Sequence, residues 1–354
     1  MSGRPRVVLH IGSGKTGTTS IQRLLAINRS ALTDAGVLYP RSPGQQRHTR
    51  LGLFATPPSA LGQNKDWQRG DYPEPSVFRR RFRRRLANEV AEASPRTVVF
   101  SDEGLFAAAP ATMGNLRVFL ADLGRATDAV VYLRRQDDHL ISRYQQVVKM
   151  GGTRTLADWA TIDFSRTYDY AARIGAWEKH LAPDRFAVRP FERERFAQGS
   201  LQQDFLDAAG LDLPLATLDM PPRANESIGA EAVEVLRLLN LHAVENRGVA
   251  PAAIRNGRLV ALLPELDDGP VLTLPEHWLD DFMARWSDGN DSLGQRVDGR
   301  RGPLFRTPRR TADTTVEQRL DPVRLDRYLP RLGVPESEWA DIRQIAQREA
   351  TGPG

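Results

Sequence analysis

The sequence predicts an α/β protein with a parallel central sheet flanked by helices and a helical, irregular C-terminal elaboration. Three observations carry that expectation. Short apolar, β-branched runs near residues 6–11, 97–101, 128–133 and 185–188 alternate with helix-patterned stretches near 18–34, 76–93, 137–150 and 169–181. Such alternation builds a parallel sheet covered on both faces. The first run passes directly into a glycine-rich loop, and later runs end in charged turns, where open α/β sheets bind their ligands.

The first run, Val7, Val8, Leu9 and Ile11, is continuous and β-branched, as a strand buried on both faces should be. Gly12, Gly14 and Gly17 then let the backbone turn sharply and aim several N–H groups at one point. Thr18 and Thr19 open an amphipathic helix whose apolar positions are Ile21, Leu24, Leu25 and Leu32. A glycine loop at a helix start is built to hold a phosphate. Read as G-x-x-x-x-G from Gly12 to Gly17, a nucleotide P-loop would continue with Lys and Ser or Thr, but Thr18 and Thr19 stand there. The loop's lysine is Lys15, in a chain with four lysines against 45 arginines. A compact cation at that one position is therefore informative.

Residues 40–75, rich in Pro, Gly and Gln, read as a long loop with a binding role, and His48 within it is a candidate general base. Arg79 to Arg85 surround Phe82 in a basic amphipathic helix. The run Thr97-Val98-Val99-Phe100 ends in Ser101, Asp102 and Glu103, which are expected to face the cleft. Glu103 is the other candidate base, although Ser-Asp-Glu before a helix also reads as a cap. The run Val130 to Leu133 ends in Arg134, and the following helix carries Ser142 eight residues on. That spacing allows a guanidinium fork and a hydroxyl to meet one anion.

Lys15-Thr16-Gly17-Thr18-Thr19 resembles the 5′-phosphosulfate loop of sulfotransferases, in particular bacterial members whose first strand reads His-Ile-Gly-x-x-Lys-Thr-Gly-Thr-Thr. Arg134 and Ser142 are similar to the pair with which that family holds the 3′-phosphate of its donor. The resemblance implies a sulfotransferase fold of P-loop type and 3′-phosphoadenosine-5′-phosphosulfate (PAPS) as cosubstrate. It assigns donor binding to Gly14, Lys15, Thr16, Gly17, Thr18, Thr19, Arg134 and Ser142. Lys15 and either Glu103 or His48 would be catalytic, no metal would be needed, and a hydroxyl or amine would be the acceptor. Less specific likeness continues through Tyr168-Asp169-Tyr170, Phe186 to Arg193, Asp204-Phe205-Leu206 and Asn225 to Gly229. Arg189 and Arg223 are possible further phosphate partners. The implied organisation is a core over 1–241, with 242–354 packed on the same domain and a disordered tail from Ala350.

Two other functions compete. Val98 to Asp102 resembles a Walker B strand and Thr19 is a possible Mg²⁺ ligand, which together suggest a small-molecule kinase using ATP. A non-catalytic nucleotide-binding module is the third class. Composition narrows the rest. With 354 residues and 40% apolar content the chain buries a sizeable core, and no run is long enough for a transmembrane helix. The first run begins within about six residues of Met1, so no signal peptide is expected and a cytoplasmic location is. The absence of cysteine excludes disulfides, thiol nucleophiles and Cys-ligated zinc. The net charge of +5 is modest, yet Arg79–Arg85 and the stretch from Arg296 to Arg310 are locally basic. They suit an acidic glycan or another anionic acceptor. No nucleic-acid-binding motif accompanies them.

Overall fold

The computed structural model describes residues 3–222, 228–267 and 269–351. The chain divides into two compact units, interleaved in sequence. One comprises Met1–Arg135, Phe164–Ala224 and Trp286–Thr307, the other Gln136–Asp163, Asn225–Arg285 and Pro308–Gly354.

The first unit holds a five-stranded, wholly parallel sheet. Its strands are β1 (Arg6–His10), β2 (Val37–Leu38), β3 (Thr97–Ser101), β4 (Ala126–Leu133) and β5 (Arg185–Pro190), in the order β2-β3-β1-β4-β5. β1 is central, with Leu9 opposite Phe100 on one side and Ala129 on the other. The α/β class and the parallel sheet expected from sequence are thus present. Val7, Val8, Leu9, Val98, Val99, Phe100 and Val130 to Leu133 are all fully buried, which explains why these strands are apolar without alternation. On one face Val8, Val99, Val130 and Tyr132 pack with Ile21, Leu24 and Leu25 of the helix Thr18–Ile27 and with Phe205 and Leu206.

Departures from the sequence reading have local causes. The helix expected over 18–34 stops at Ile27 and restarts as Arg29–Asp34. Between them Asn28 exchanges hydrogen bonds with the Asp219 backbone, its Nδ2 donating to the carbonyl at 2.9 Å and its Oδ1 accepting the N–H at 2.8 Å. Residues 40–75 are not one long loop but carry the helices Thr49–Ala55, Pro58–Leu61 and Lys65–Arg69. The first of these is held by Phe54, whose ring lies 4.7 Å from Phe82 and 4.6 Å from Phe119. The helix Pro75–Ala93 buries Phe78, Phe82 and Leu86 and leaves Arg80, Arg81, Arg84 and Arg85 exposed.

In the second unit the helix Ala230–Glu245 packs against Gln136–Lys149 and against Glu336–Thr351. A short parallel pair joins β6 (Val271–Leu272) to β7 (Thr314–Thr315). Arg237, buried in that long helix, is balanced by Glu234 at 2.6 Å and Glu349 at 3.0 Å. The last helix carries the chain as far as Thr351, so Ala350 is helical rather than part of a disordered tail, and 352–354 lie outside the described residues. Among the described residues no helix is long and apolar enough to cross a membrane.

Candidate functional site

The order β3-β1-β4 puts the point where the chain reverses its direction of winding at β1, and ligands of open α/β sheets bind at the carboxyl ends of such strands. Three neighbouring strand ends therefore meet there: the glycine loop after β1, the turn after β3, and Arg134 after β4.

The loop is shaped by local geometry. Gly17 sits in the left-handed region at φ +71°, and a Cβ there would collide with the Leu201 side chain. Lys15 adopts the same region at φ +64° without being glycine, a conformation that costs on the order of 1 kcal/mol or more and is typical of functional turns. Thr16 is buried and its Oγ1 donates to the Ser13 carbonyl at 2.5 Å, closing the turn from inside. Among the described residues no side chain caps the helix Thr18–Ile27, so its first N–H groups point into the loop. Thr18 is buried and Thr19 is exposed at that helix start.

Thr18 Oγ1 donates to Glu103 Oε2 at 2.5 Å. Gly12 makes the approach feasible, because a Cβ on it would meet the Thr18 methyl and come within 3.0 Å of Glu103 Cα. Arg134 reaches the loop from β4, donating from Nη1 to the Lys15 carbonyl at 3.3 Å, while Tyr170 Oη donates to the Arg134 carbonyl at 2.7 Å. Burial lowers the Lys15 pKa, the Arg134 charge lowers it further, and Glu103 opposes both. Lys15, Thr16, Gly17, Thr18, Glu103 and Arg134 are thus gathered at one point. Ser142, half-buried on the helix Gln136–Lys149, belongs to the second unit.

Ser101 and Asp102 do not face the cleft as the sequence suggested. Ser101 Oγ is buried 2.8 Å from His10 Nδ1. Asp102 is buried, pairs with Arg47 Nε at 2.6 Å and accepts the Gly104 N–H at 3.0 Å. Asp102 is therefore the cap of the turn Glu103–Ala107, which leaves the Glu103 carboxylate to Thr18. Burial raises the Asp102 pKa, with Arg47 acting against it. Arg47 escaped the sequence reading: it stands beside His48 in a polar stretch, and no spacing marks it. It also bonds Asp66 at 3.1 Å. A cavity of about 490 Å³ lies against this turn, lined by Arg47, Asp66, Asp102, Gly104, Thr56 and Leu105 among others.

His48 is fully buried, stacked on Tyr39 at 4.2 Å and edge-on to Phe100. Its backbone N–H donates to the Ser101 carbonyl at 2.9 Å, and its Nδ1 accepts the Ser101 N–H at 3.3 Å. Burial, with Arg29 nearby, pushes its pKa down to about 3. A neutral, enclosed imidazole splices the turn to β3. His10 is likewise buried and its pKa lowered to about 3 by burial. Arg189 pairs with the buried Asp204, which also accepts Tyr132 Oη at 2.6 Å. Arg223 and Asn225 to Ser227 lie outside the described residues. Among the described residues no group of three or more His, Cys, Asp or Glu side chains is placed to hold a metal ion.

No family model matches the chain. It is similar to a protein from Archaeoglobus fulgidus described as uncharacterized, at 26% identity over 233 residues. The match takes in 60% of this chain and 61% of the other, so the chain spans about three fifths of that relative's length. It is also similar to the crystal structure of a sulfotransferase from Alicyclobacillus acidocaldarius, at 16% identity and a TM-score of 0.38, over 69% of this chain and 96% of that one. The fold and site thus define an α/β protein with a glycine loop at the switch point of its sheet.

Proposed function

We propose that the chain is a sulfotransferase that moves the sulfuryl group of PAPS to a hydroxyl or amine acceptor. The observation that carries this reading is the meeting of Lys15, Glu103 and Arg134 at the ends of β1, β3 and β4, with Thr18 bonded to Glu103 at 2.5 Å. The N–H groups of Gly14 to Thr19 and the helix N-terminus receive the donor's 5′-phosphate. Arg134 takes its 3′-phosphate, and Ser142 is the second residue that the motif resemblance assigns to that group. The acceptor oxygen or nitrogen bonds to sulfur as the bond from sulfur to the bridging phosphate oxygen breaks. Glu103 accepts the acceptor's proton, and Lys15 balances the charge left on the departing oxygen. An anionic phosphate beside Lys15 favours the ammonium form, against the burial that lowers its pKa. Glu103 is the base in this scheme and His48 is not, because a base must first reach its proton and His48 is enclosed.

The scheme uses no metal, since the lysine and arginine supply the positive charge. The ATP-dependent alternative is weakened by Asp102, the Walker-B-like carboxylate, which is turned to Arg47. Transfer of label from ³⁵S-PAPS to a mixed acceptor panel, with chelator present and ATP absent, tests the assignment. Magnesium-dependent transfer of the ATP γ-phosphate instead would make the chain a kinase. Binding of phosphoadenosine phosphate with no transfer to any acceptor would make it a binding module.

A further inference from the structure

The second unit contains a cavity of about 420 Å³ that the proposed chemistry does not use. Its floor is polar and internally bonded. Asn256 Nδ2 donates to Asn240 Oδ1 at 2.8 Å, and Asn240 Nδ2 donates to the Val148 and Gly152 carbonyls at 2.8 and 2.9 Å. Beside them His242, buried on the same helix as Asn240, faces Glu338 with Nε2 3.2 Å from Oε2. The walls are apolar, formed by Leu239, Ile254, Leu259, Leu332 and Val334. Gly151, at φ +99°, lets the Pro251–Ala253 turn and Ile254 come close to the end of the helix Gln136–Lys149, fixing one wall.

The rim sets this cavity apart. Arg247, Arg255 and Arg258 line it against one carboxylate, Glu338. Several other arginines of this unit do have carboxylate partners: Arg237 with Glu234, Arg309 with Asp137, Arg324 with Glu231, Arg348 with Glu245. None of the three rim arginines has a carboxylate partner among the described residues. Arg255 directs only Nη1 to its own turn, at 2.7 Å to the Ala252 carbonyl and 2.9 Å to that of Ile254. Three guanidinium groups held around an apolar hollow repel one another and draw in an anion, and a hollow of this volume accommodates a small organic molecule.

We propose that this cavity binds a small amphiphilic anion, its apolar body against Ile254, Leu332 and Val334 and its acidic group at the rim arginines. The site is independent of the glycine loop and of the sulfotransferase reading.

The probe is 1-anilinonaphthalene-8-sulfonate, an apolar ring system with one sulfonate, set against the neutral N-phenyl-1-naphthylamine of similar shape, in fluorescence and calorimetric titrations of the full chain. The anionic dye is expected to bind at one principal site at least tenfold more tightly than the neutral dye. Ala253→Trp, at an exposed lining position, should fill the mouth and abolish that component. Arg255→Ala and Arg258→Ala should each weaken it roughly three- to tenfold, and together by more. Lys15→Ala should leave it unchanged, which separates the site from the glycine loop. Circular dichroism and thermal melting of each variant show that the fold is kept. Equal binding of the two dyes, or anionic-dye binding untouched by Ala253→Trp and the arginine changes, would overturn the proposal.

Discussion

Thr18 Oγ1 and Glu103 Oε2 are 2.5 Å apart, and this contact ties the helix behind the glycine loop to the turn after β3. Because Asp102 caps that turn, Glu103 is released from structural duty there. The bond fixes one carboxylate oxygen, and in the proposed reaction Oε1 is the atom that takes the substrate proton. Glu103→Gln keeps the shape and removes the charge. Turnover should fall by roughly 10²–10⁴-fold, with affinity for phosphoadenosine phosphate nearly intact, since a product analogue makes no use of a base. Paired kinetics and calorimetry check this, and near-normal turnover in a folded Glu103→Gln protein would remove Glu103 from the scheme.

Gly12 protects the same contact. Gly12→Ala would press a methyl into Thr18 and the Glu103 backbone, so both elements must shift. Turnover is expected to drop at least tenfold, by the misplacement of the base, with a loss of stability on the order of 1–3 kcal/mol. Gly114→Ala, inside the helix Pro110–Leu123 where a Cβ meets nothing within 4 Å, is the control: turnover should be unchanged and stability raised by up to about 1 kcal/mol, as alanine favours a helix over glycine. Denaturant melts and initial rates measure the two effects separately.

His48 gives a prediction about stability instead of chemistry. Its Nδ1 accepts the Ser101 N–H, so His48→Ala leaves a buried donor unmet as well as a void beneath Tyr39. A cost of about 2–4 kcal/mol is expected, while turnover per folded molecule stays within a few-fold of the parent. A selective collapse of turnover with stability unchanged would restore His48 as the base.

The acid limb of stability follows from the same burial. His48 and His10 titrate near 3 when folded against an ordinary value of 6.5, so between those values the unfolded chain binds more protons. Stability is fully present above pH 6.5 and falls as pH drops through the window to about 3. Each histidine contributes a slope of up to about 1.4 kcal/mol per pH unit. Asp102 has the opposite sign, because its raised pKa favours the folded state at low pH, and so softens the fall. Urea melts from pH 7 to pH 4 should show the loss, and the slope should be shallower in His48→Gln. An unchanged slope would mean that His48 is solvated.

Arg134 and Ser142 should differ in weight. Loss of a charged fork at a desolvated phosphate costs on the order of 2–5 kcal/mol, against about 1.5–3 kcal/mol for a serine hydrogen bond to a charged group. Arg134→Ala should therefore weaken phosphoadenosine phosphate binding more than Ser142→Ala. Neither change should affect a ligand that lacks the 3′-phosphate to the same degree. Calorimetry with ligands that have and lack that group decides, and a parent protein that fails to distinguish them would unseat both residues.

The sheet was legible because buried parallel strands leave uninterrupted apolar runs: four of the five strands fall where Val7–Leu9, Val98–Phe100, Val130–Leu133 and Phe186–Val188 mark them. β2, only Val37 and Leu38, is too short to register as a pattern. The break at Asn28 was hidden because its partner, Asp219, is far away in sequence. The helix Thr49–Ala55 depends on aromatic packing by Phe54 onto Phe82 and Phe119, and Lys65–Arg69 sets Trp67 edge-on to Phe78, contacts that no local period reveals. In the site, Lys15 and Glu103 were visible because glycine spacing and strand ends mark the carboxyl edge of the sheet. The division of labour between Asp102 and Glu103 was not, since it turns on Arg47 reaching Asp102 from a stretch with no recognisable spacing.

The most direct test is the ligand choice of the glycine loop, measured by calorimetry with phosphoadenosine phosphate and with ATP plus Mg²⁺, for the parent chain and Lys15→Ala. Metal-independent binding of phosphoadenosine phosphate is expected, weakened at least tenfold by Lys15→Ala, with ATP–Mg²⁺ bound far more weakly. Tighter binding of ATP–Mg²⁺ than of phosphoadenosine phosphate, or equal affinity of the parent and Lys15→Ala for the latter, would contradict it.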